Sequence, residues 1–146
     1  MPNDQPLEPL TRLSAEMRIA VARLARRLRA EKADDEMSAG QFSALALLVR
    51  EGPLTLRELS DHERVTPPSM NRTVNTLVEA GYVARDASEL DGRKVVLTTT
   101  EAGSALVAAT RRKRDAWLYR RIMALPREER EVLAKATRII RELADS

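Results

Sequence analysis

The 146-residue sequence predicts a mainly α-helical protein with a single small β-hairpin inside the helical chain. Apolar residues recur at steps of three and four over most of the chain, which is the period of an amphipathic helix. Two short runs of strand-forming residues, at 82–86 and 94–98, instead flank the turn-rich segment ASELDG. Because two short capped helices come directly before this hairpin, the order of elements predicts a winged helix-turn-helix at residues 37–99.

Composition excludes several classes of protein. The chain has no cysteine, which excludes disulfides and thiolate metal sites, and its one histidine, His62, would need several carboxylate partners to hold a metal. We therefore expect no metal or other cofactor and interpret His62 as a helix-surface residue. No apolar run reaches about 18 residues and the first residues lack a signal-peptide pattern, so we expect a cytoplasmic protein without membrane contact.

The first part of the chain predicts a tail and two helices. Residues 1–8 contain two prolines and no apolar period, which indicates a flexible tail. A stripe of apolar residues beginning at Leu10 predicts a long amphipathic helix. Ser38 and Gln41 match a capping box, so a second, largely buried helix should begin there and end before Gly52.

The next segment predicts the helix-turn-helix. Thr55 and Glu58 match another capping box, which would start a short helix, and the turn is expected at residues 62–65. Thr66 is a good N-cap, and a proline fits the first position of the helix that follows. Gly81 would end that helix.

The last part of the chain predicts two helices after the hairpin. Either Thr98 or Thr100 could cap the first of them, which would continue to about Leu125. Its buried face is unassigned at residues 110–115, because the charged run there interrupts the apolar period. Pro126 would begin the final helix.

One face of the helix at 67–80 has the side chains that DNA reading requires. At about 100° per residue the apolar side chains share one arc, while the opposite arc has small and amide side chains and one arginine. These groups match the hydrogen-bonding edges of bases in the major groove, and free N–H groups at the helix start would suit a phosphate. The alternative is an ordinary capped amphipathic helix, which the adjacent short helix and hairpin make less favourable. The candidate residues are Thr66, Pro68, Ser69, Asn71, Arg72, Asn75 and Thr76.

The hairpin loop contains a second candidate contact. Arg93 could enter a minor groove, with Asp91 holding its guanidinium and Lys94 beside it. A solvated ion pair in a turn is an equally good interpretation of the spacing. The charge balance does not distinguish these two interpretations, because residues 57–94 contain six basic and seven acidic side chains. The basic excess lies at 12–32 and 111–121, so DNA binding would depend on individually placed arginines.

Together these pieces resemble the MarR-type winged-helix transcription factors. The similarity covers residues 38–106 and includes GPLTLREL at 52–59, VTPPSMNRTVNTLVEAGYVAR at 65–85 and DGRKVVLTTTEAG at 91–103. The resemblance implies a homodimer on a pseudo-palindromic operator of double-stranded DNA, with the helix at 67–80 in the major groove and Arg93 in the minor groove. It also implies that helices at 9–36 and 100–146 form the dimer interface within one compact domain. The apolar residues expected there are Leu10, Leu13, Met17, Val132, Ile139, Ile140 and Leu143.

The sequence departs from the family pattern at two positions. Gly92 stands where the family often has a second wing arginine, and Thr99 replaces a usual leucine. Many family members are released from DNA by small aromatic or phenolic acids; Trp117 and Tyr119 could line such a site, although packing is the simpler role for them.

Other function classes remain as alternatives. We do not expect an enzyme, since the chain has no catalytic triad, phosphate-binding loop or HExxH motif. As a regulator of transcription, we expect it to be a repressor. A winged-helix module that binds proteins is the alternative that the charge balance leaves open.

Overall fold

The computed structural model describes residues 7–146 and confirms the mainly α-helical fold with one hairpin. The elements, in chain order, are α1 Leu7–Arg29, α2 Ala39–Glu51, α3 Leu56–Glu63, α4 Pro67–Glu79, β1 Val83–Ala87, β2 Val95–Thr99, α5 Glu101–Met123 and α6 Arg127–Asp145. Helix α1 begins at Leu7, inside the segment 1–8 predicted as a tail, and the rest of that segment lies outside the described residues. No helix between residues 7 and 146 has the length and apolar character needed to cross a membrane.

The described chain divides into two compact units. One unit is Arg29–Lys113, and the other combines the described residues up to Leu28 with Arg114–Ser146. The first unit contains the predicted winged helix-turn-helix at 37–99 and extends beyond it at both ends. Two hydrogen bonds connect the residues after α1 to α5 and so hold both ends of this unit together. The backbone N–H of Ala33 donates to Thr110 Oγ1 at 3.2 Å, and Lys113 Nζ donates to the carbonyl of Lys32 at 3.0 Å.

The core of the larger unit joins four of its helices to the hairpin. Leu45 of α2, Leu59 of α3, Leu77 of α4 and Val107 of α5 are almost completely buried and belong to one cluster. Burial of such side chains stabilises the fold by about 1.5–3 kcal/mol each. These contacts fix α4 against the rest of the unit.

The hairpin is antiparallel and gains a third short strand segment. Its register runs from Val83 opposite Thr99 to Ala87 opposite Val95. Leu54 pairs with Leu97 on the free edge of β2, through hydrogen bonds of 3.2 and 2.7 Å. The segment before α3 is thereby attached to the wing.

The helix caps follow the sequence in part. Both bonds of the Ser38–Gln41 capping box are present, whereas Thr55 accepts the Glu58 N–H at 3.1 Å without a reciprocal bond from the Glu58 side chain. The turn after α3 is shorter than the predicted 62–65. Arg64 adopts the left-handed conformation at φ 55°, which closes α3 and allows the Val65 N–H to reach the carbonyl of Ser60.

Each strand begins one residue later than predicted. Gly81 has a φ of 83°, and this left-handed turn brings the Tyr82 N–H to the carbonyl of Leu77 at 2.9 Å, so Tyr82 closes α4 instead of starting a strand. Lys94 likewise donates its N–H to the Asp91 carbonyl inside the loop. The following helix is capped by Thr100, whose Oγ1 accepts the Gly103 N–H at 3.1 Å.

The structure assigns the face of α5 that the sequence left open. Thr110 is buried on that face and Arg114 is half-buried. Because both side chains are polar, the apolar pattern of the sequence did not reveal this face. The Thr110 hydroxyl accepts the hydrogen bond from Ala33, which offsets the cost of burying it. Helix α5 ends at Met123, two residues before the predicted end, and Pro126 is the N-cap of α6.

Candidate nucleic-acid interface

Helix α4 presents the predicted face to solvent. Met70, Val74 and Leu77 are buried and Val78 is half-buried, so the opposite side must face outward. The Thr66 side chain caps the helix by accepting the Ser69 N–H at 3.4 Å. All seven predicted residues of this face are exposed: Thr66, Pro68, Ser69, Asn71, Arg72, Asn75 and Thr76.

Arg72 is available for an external ligand. Its guanidinium has no hydrogen-bond or ion-pair partner within residues 7–146, and its backbone carbonyl accepts the Thr76 hydroxyl at 3.1 Å. An arginine presents five N–H donors in a planar fork, the group that pairs with guanine or phosphate. Within residues 7–146, this face therefore offers one cation without a hydrogen-bond or ion-pair partner, among small polar side chains.

The prediction that the start of α4 offers free N–H groups to a phosphate is wrong. Pro67 and Pro68 have no N–H, the Ser69 N–H donates to the Thr66 side chain, and the Met70 N–H donates to the Thr66 carbonyl at 2.9 Å. All backbone donors of the first turn are thus absent or satisfied. A phosphate near this end would have to be held by side chains.

Sequence reasoning missed one residue of this surface, Arg85 of β1. Its Nη2 donates to Asn75 Oδ1 at 2.5 Å and lies 3.5 Å from Asn71 Oδ1, so one guanidinium spans two amides of α4. The alternation of a strand places Arg85 on the same side as Val83, which belongs to the core. That alternation is the signal in the sequence that could have indicated a side chain directed towards α4.

The wing loop is organised by its own backbone. Asp91 Oδ1 accepts the Arg93 N–H at 3.1 Å, and the Asp91 carbonyl accepts the Lys94 N–H at 3.0 Å. The Ser88 N–H closes the loop on the Lys94 carbonyl at 2.7 Å. Asp91 thus shapes the turn through the main chain, whereas the expected contact with the Arg93 guanidinium is absent from the described residues. Arg93 and Lys94 extend into solvent.

The second unit has a large uncovered apolar surface. Helix α6 has no buried residue, although it is strongly amphipathic. The expected interface residue Met17 is half-buried, and the other expected residues are exposed: Leu10 at 61%, Leu13 at 58%, Val132 at 65%, Ile139 at 47%, Ile140 at 39% and Leu143 at 58%.

The two aromatic residues of α5 differ in environment. Trp117 is buried, with the guanidinium of Arg121 3.6 Å and that of Arg27 5.0 Å from its ring centroid. Such contacts stabilise by about 0.5–2 kcal/mol each, which supports a packing role for Trp117. Tyr119 is 65% exposed.

His62 lies on the surface near a single carboxylate. Its Nε2 is 3.7 Å from Glu51 Oε2, and both side chains are about half exposed. Between residues 7 and 146 no cluster of three His, Asp or Glu side chains is arranged to hold a metal ion.

Comparisons with known proteins agree with this geometry. The model of the MarR family matches residues 37–95. A Mycobacterium leprae protein named as an uncharacterized HTH-type transcriptional regulator is 40% identical over 139 residues, which cover 95% of this chain and 97% of that protein. An HTH-type transcriptional repressor of Mycobacterium tuberculosis is 37% identical over 92 residues, or 61% of this chain and 66% of the repressor. The crystal structure of a transcriptional regulator from Pseudomonas aeruginosa superposes with a TM-score of 0.83 at 28% identity, covering 99% of both chains.

Proposed function

The chain belongs to the MarR family and is a transcriptional regulator with a DNA-binding helix-turn-helix, and from that premise we propose that it represses transcription by binding a pseudo-palindromic operator as a homodimer. Helix α4 enters the major groove and the β1–β2 wing lies along the adjacent minor groove. One observation carries the proposal: the outward face of α4 has small polar and amide side chains instead of the usual Lys and Glu, and its Arg72 has no partner in the described part of the chain.

The contacts divide into two kinds. On α4, Arg72, Asn71 and Asn75 have the donors and acceptors to distinguish base pairs, while Ser69 and Thr76 suit bases or phosphate. On the wing, Arg93 supplies the cation for the negative potential of a narrow minor groove. Because few cations are involved, we expect weaker salt dependence than for a protein with a broad basic surface.

The homodimer follows from the uncovered apolar surface of the terminal helices. An amphipathic helix such as α6 needs a partner for its apolar face, and each large aliphatic side chain gains about 1.5–3 kcal/mol when it leaves water. A second copy of the chain supplies the same surface and would place two α4 helices for two half-sites.

Repression and release are the finer parts of the proposal. The name of the Mycobacterium tuberculosis relative supports a repressor, and binding to chromosomal DNA supports a cytoplasmic location. The family resemblance also implies release by a small aromatic or phenolic acid. The exposed ring of Tyr119 is better placed to stack on such an effector than the buried Trp117.

The test compares three arginine variants by fluorescence anisotropy on an operator selected from a random DNA pool. Arg72→Ala and Arg93→Ala should each weaken binding about 5- to 150-fold, because each removes one charged contact worth roughly 1–3 kcal/mol. Arg50→Ala is the matched control, since Arg50 is an exposed arginine of the same unit that faces Glu51 at 3.5 Å. Unchanged affinity in both test variants, with unchanged melting temperatures, would contradict the docking.

A protein-binding module is the competing function, favoured by the balanced charge of residues 57–94. A DNA-binding protein loses affinity as salt rises, in proportion to the phosphates it contacts. Absence of DNA binding even at low salt would favour the protein-binding module.

A further inference from the structure

We infer that Arg85 determines base specificity by fixing the amides of Asn75 and Asn71 as hydrogen-bond donors, so that Asn75 prefers guanine over adenine. The inference deepens the proposed function and depends on it, since it requires α4 to read a major groove. Arg85 acts through the two asparagines and is therefore a positioning residue.

The orientation of the amides follows from chemistry. A guanidinium has only donors, so the amide atom that faces Arg85 must be oxygen and the amide NH₂ must point elsewhere. Asn75 Oδ1 receives the closer contact, at 2.5 Å, and Asn71 Oδ1 lies 3.5 Å from the same Nη2. No group within residues 7–146 accepts from either NH₂, so both are available to DNA.

This orientation changes what an asparagine reads. Adenine is recognised through two bonds, in which the amide oxygen accepts from N6 and the amide nitrogen donates to N7. When the oxygen is engaged by Arg85, the first of these bonds is weakened. Guanine presents only acceptors at O6 and N7, and a donating NH₂ satisfies one of them without using the oxygen.

The position of Arg85 makes the arrangement a property of the fold. Its backbone is held by β1, where it stands opposite Leu97 of β2, and Leu97 is buried and also pairs with Leu54. The sheet therefore fixes the position of the Arg85 backbone, from which the guanidinium extends. Asn71 and Asn75 are four residues apart on α4 and lie one above the other on the same face. The wing and the recognition helix are connected by these side-chain bonds before DNA arrives.

The experiment measures binding of the 146-residue chain to the selected operator and to operators changed at one base pair at a time. The variants are Arg85→Ala, Asn75→Ala and the double variant, with Arg57→Ala as control. Arg57 is an exposed arginine on α3 in the same unit and has no partner within the described residues. Melting temperatures verify that each variant is folded.

We expect Arg85→Ala and Asn75→Ala to reduce the preference for guanine over adenine by about tenfold at the same base pair. The double variant should lose no more than Asn75→Ala alone, because both residues act through one amide. Arg85→Lys retains a donor and should recover part of the preference, whereas Arg57→Ala should leave it unchanged.

Three results would overturn the role of Arg85. If Arg85→Ala weakens binding to all sequences equally and lowers the salt slope by about one, then Arg85 contacts a phosphate instead. If the losses in the double variant are additive, the two residues act separately. A wild-type protein without any base preference would refute the proposed function itself, whereas a discriminating wild type with an equally discriminating Arg85→Ala variant would refute only this inference.

Discussion

Replacing Gly103 by alanine should destabilise the protein, although alanine is the better helix former. Gly103 lies in the first turn of α5, and a Cβ built on it would be 2.2 Å from the carbonyl oxygen of Tyr82 and 3.2 Å from Leu45 Cδ1. The Tyr82 carbonyl cannot move away from a new Cβ without weakening the hydrogen bond that it accepts from the Thr100 N–H at 3.1 Å. The close approach connects α5 to the residue that follows the end of α4.

The magnitude follows from three contributions. Overpacking a tight site destabilises by about 1–3 kcal/mol, and weakening the Thr100–Tyr82 hydrogen bond costs about 1 kcal/mol. The higher helix propensity of alanine offsets up to about 1 kcal/mol of this destabilisation. The expected net loss is about 2 kcal/mol in the free energy of unfolding, or about 4–8 °C in Tm for a chain of this size.

Gly40→Ala provides the control for the same substitution in a helix. Gly40 lies in the first turn of α2, and a Cβ there meets nothing within 4 Å. This variant should be as stable as the wild type or gain up to about 1 kcal/mol. Thermal and urea denaturation followed by circular dichroism, at one protein concentration, measures both. If Gly103→Ala is as stable as Gly40→Ala, the steric explanation is wrong.

Three further predictions concern pH, backbone strain and assembly. Burial, together with a hydrogen bond to Asp34, raises the pKa of Tyr82 above its ordinary value of 10.0, so its contribution to stability is complete below pH 10 and is lost as the pH rises through the folded-state pKa. Tyr82→Phe should therefore show a smaller loss of stability above pH 10 than the wild type, and equal pH dependence of the two in urea titrations would contradict this. Arg64→Gly should stabilise by about 0.5 kcal/mol, because glycine adopts the left-handed conformation of residue 64 without strain; a lower urea midpoint would show that the arginine makes a compensating contact. Ile139→Glu, which puts a charge on the apolar face of α6, should shift the mass in light scattering from dimer to monomer, and an unchanged dimer would exclude α6 from the interface.

Local patterns were sufficient to predict most of the fold. The Ser38 capping box, the buried arc of α4 and the hairpin all follow from residues within one or two turns of each other. The strand starts shifted by one residue because the Tyr82 and Lys94 N–H groups bond within turns. Turn hydrogen bonds of this kind compete with strand pairing and leave no separate mark in the sequence.

Contacts between distant residues set the limit of the sequence-based predictions. Thr110 can be buried on α5 because Ala33, distant in sequence, donates a hydrogen bond to it. The bonds from Arg85 to the asparagines of α4 likewise depend on how β1 packs beside that helix. The N–H groups of the first turn of α4 are a different case, since two adjacent prolines already indicate that few donors are free.

Selection of bound sites from a random pool of duplex DNA tests the central claim most directly. If α4 and the wing read DNA as parts of a homodimer, the enriched sites contain two inverted half-sites whose centres are about one helical turn, roughly 10 base pairs, apart. Enrichment of no sequence, or of a single unpaired half-site bound by one chain, would contradict the claim.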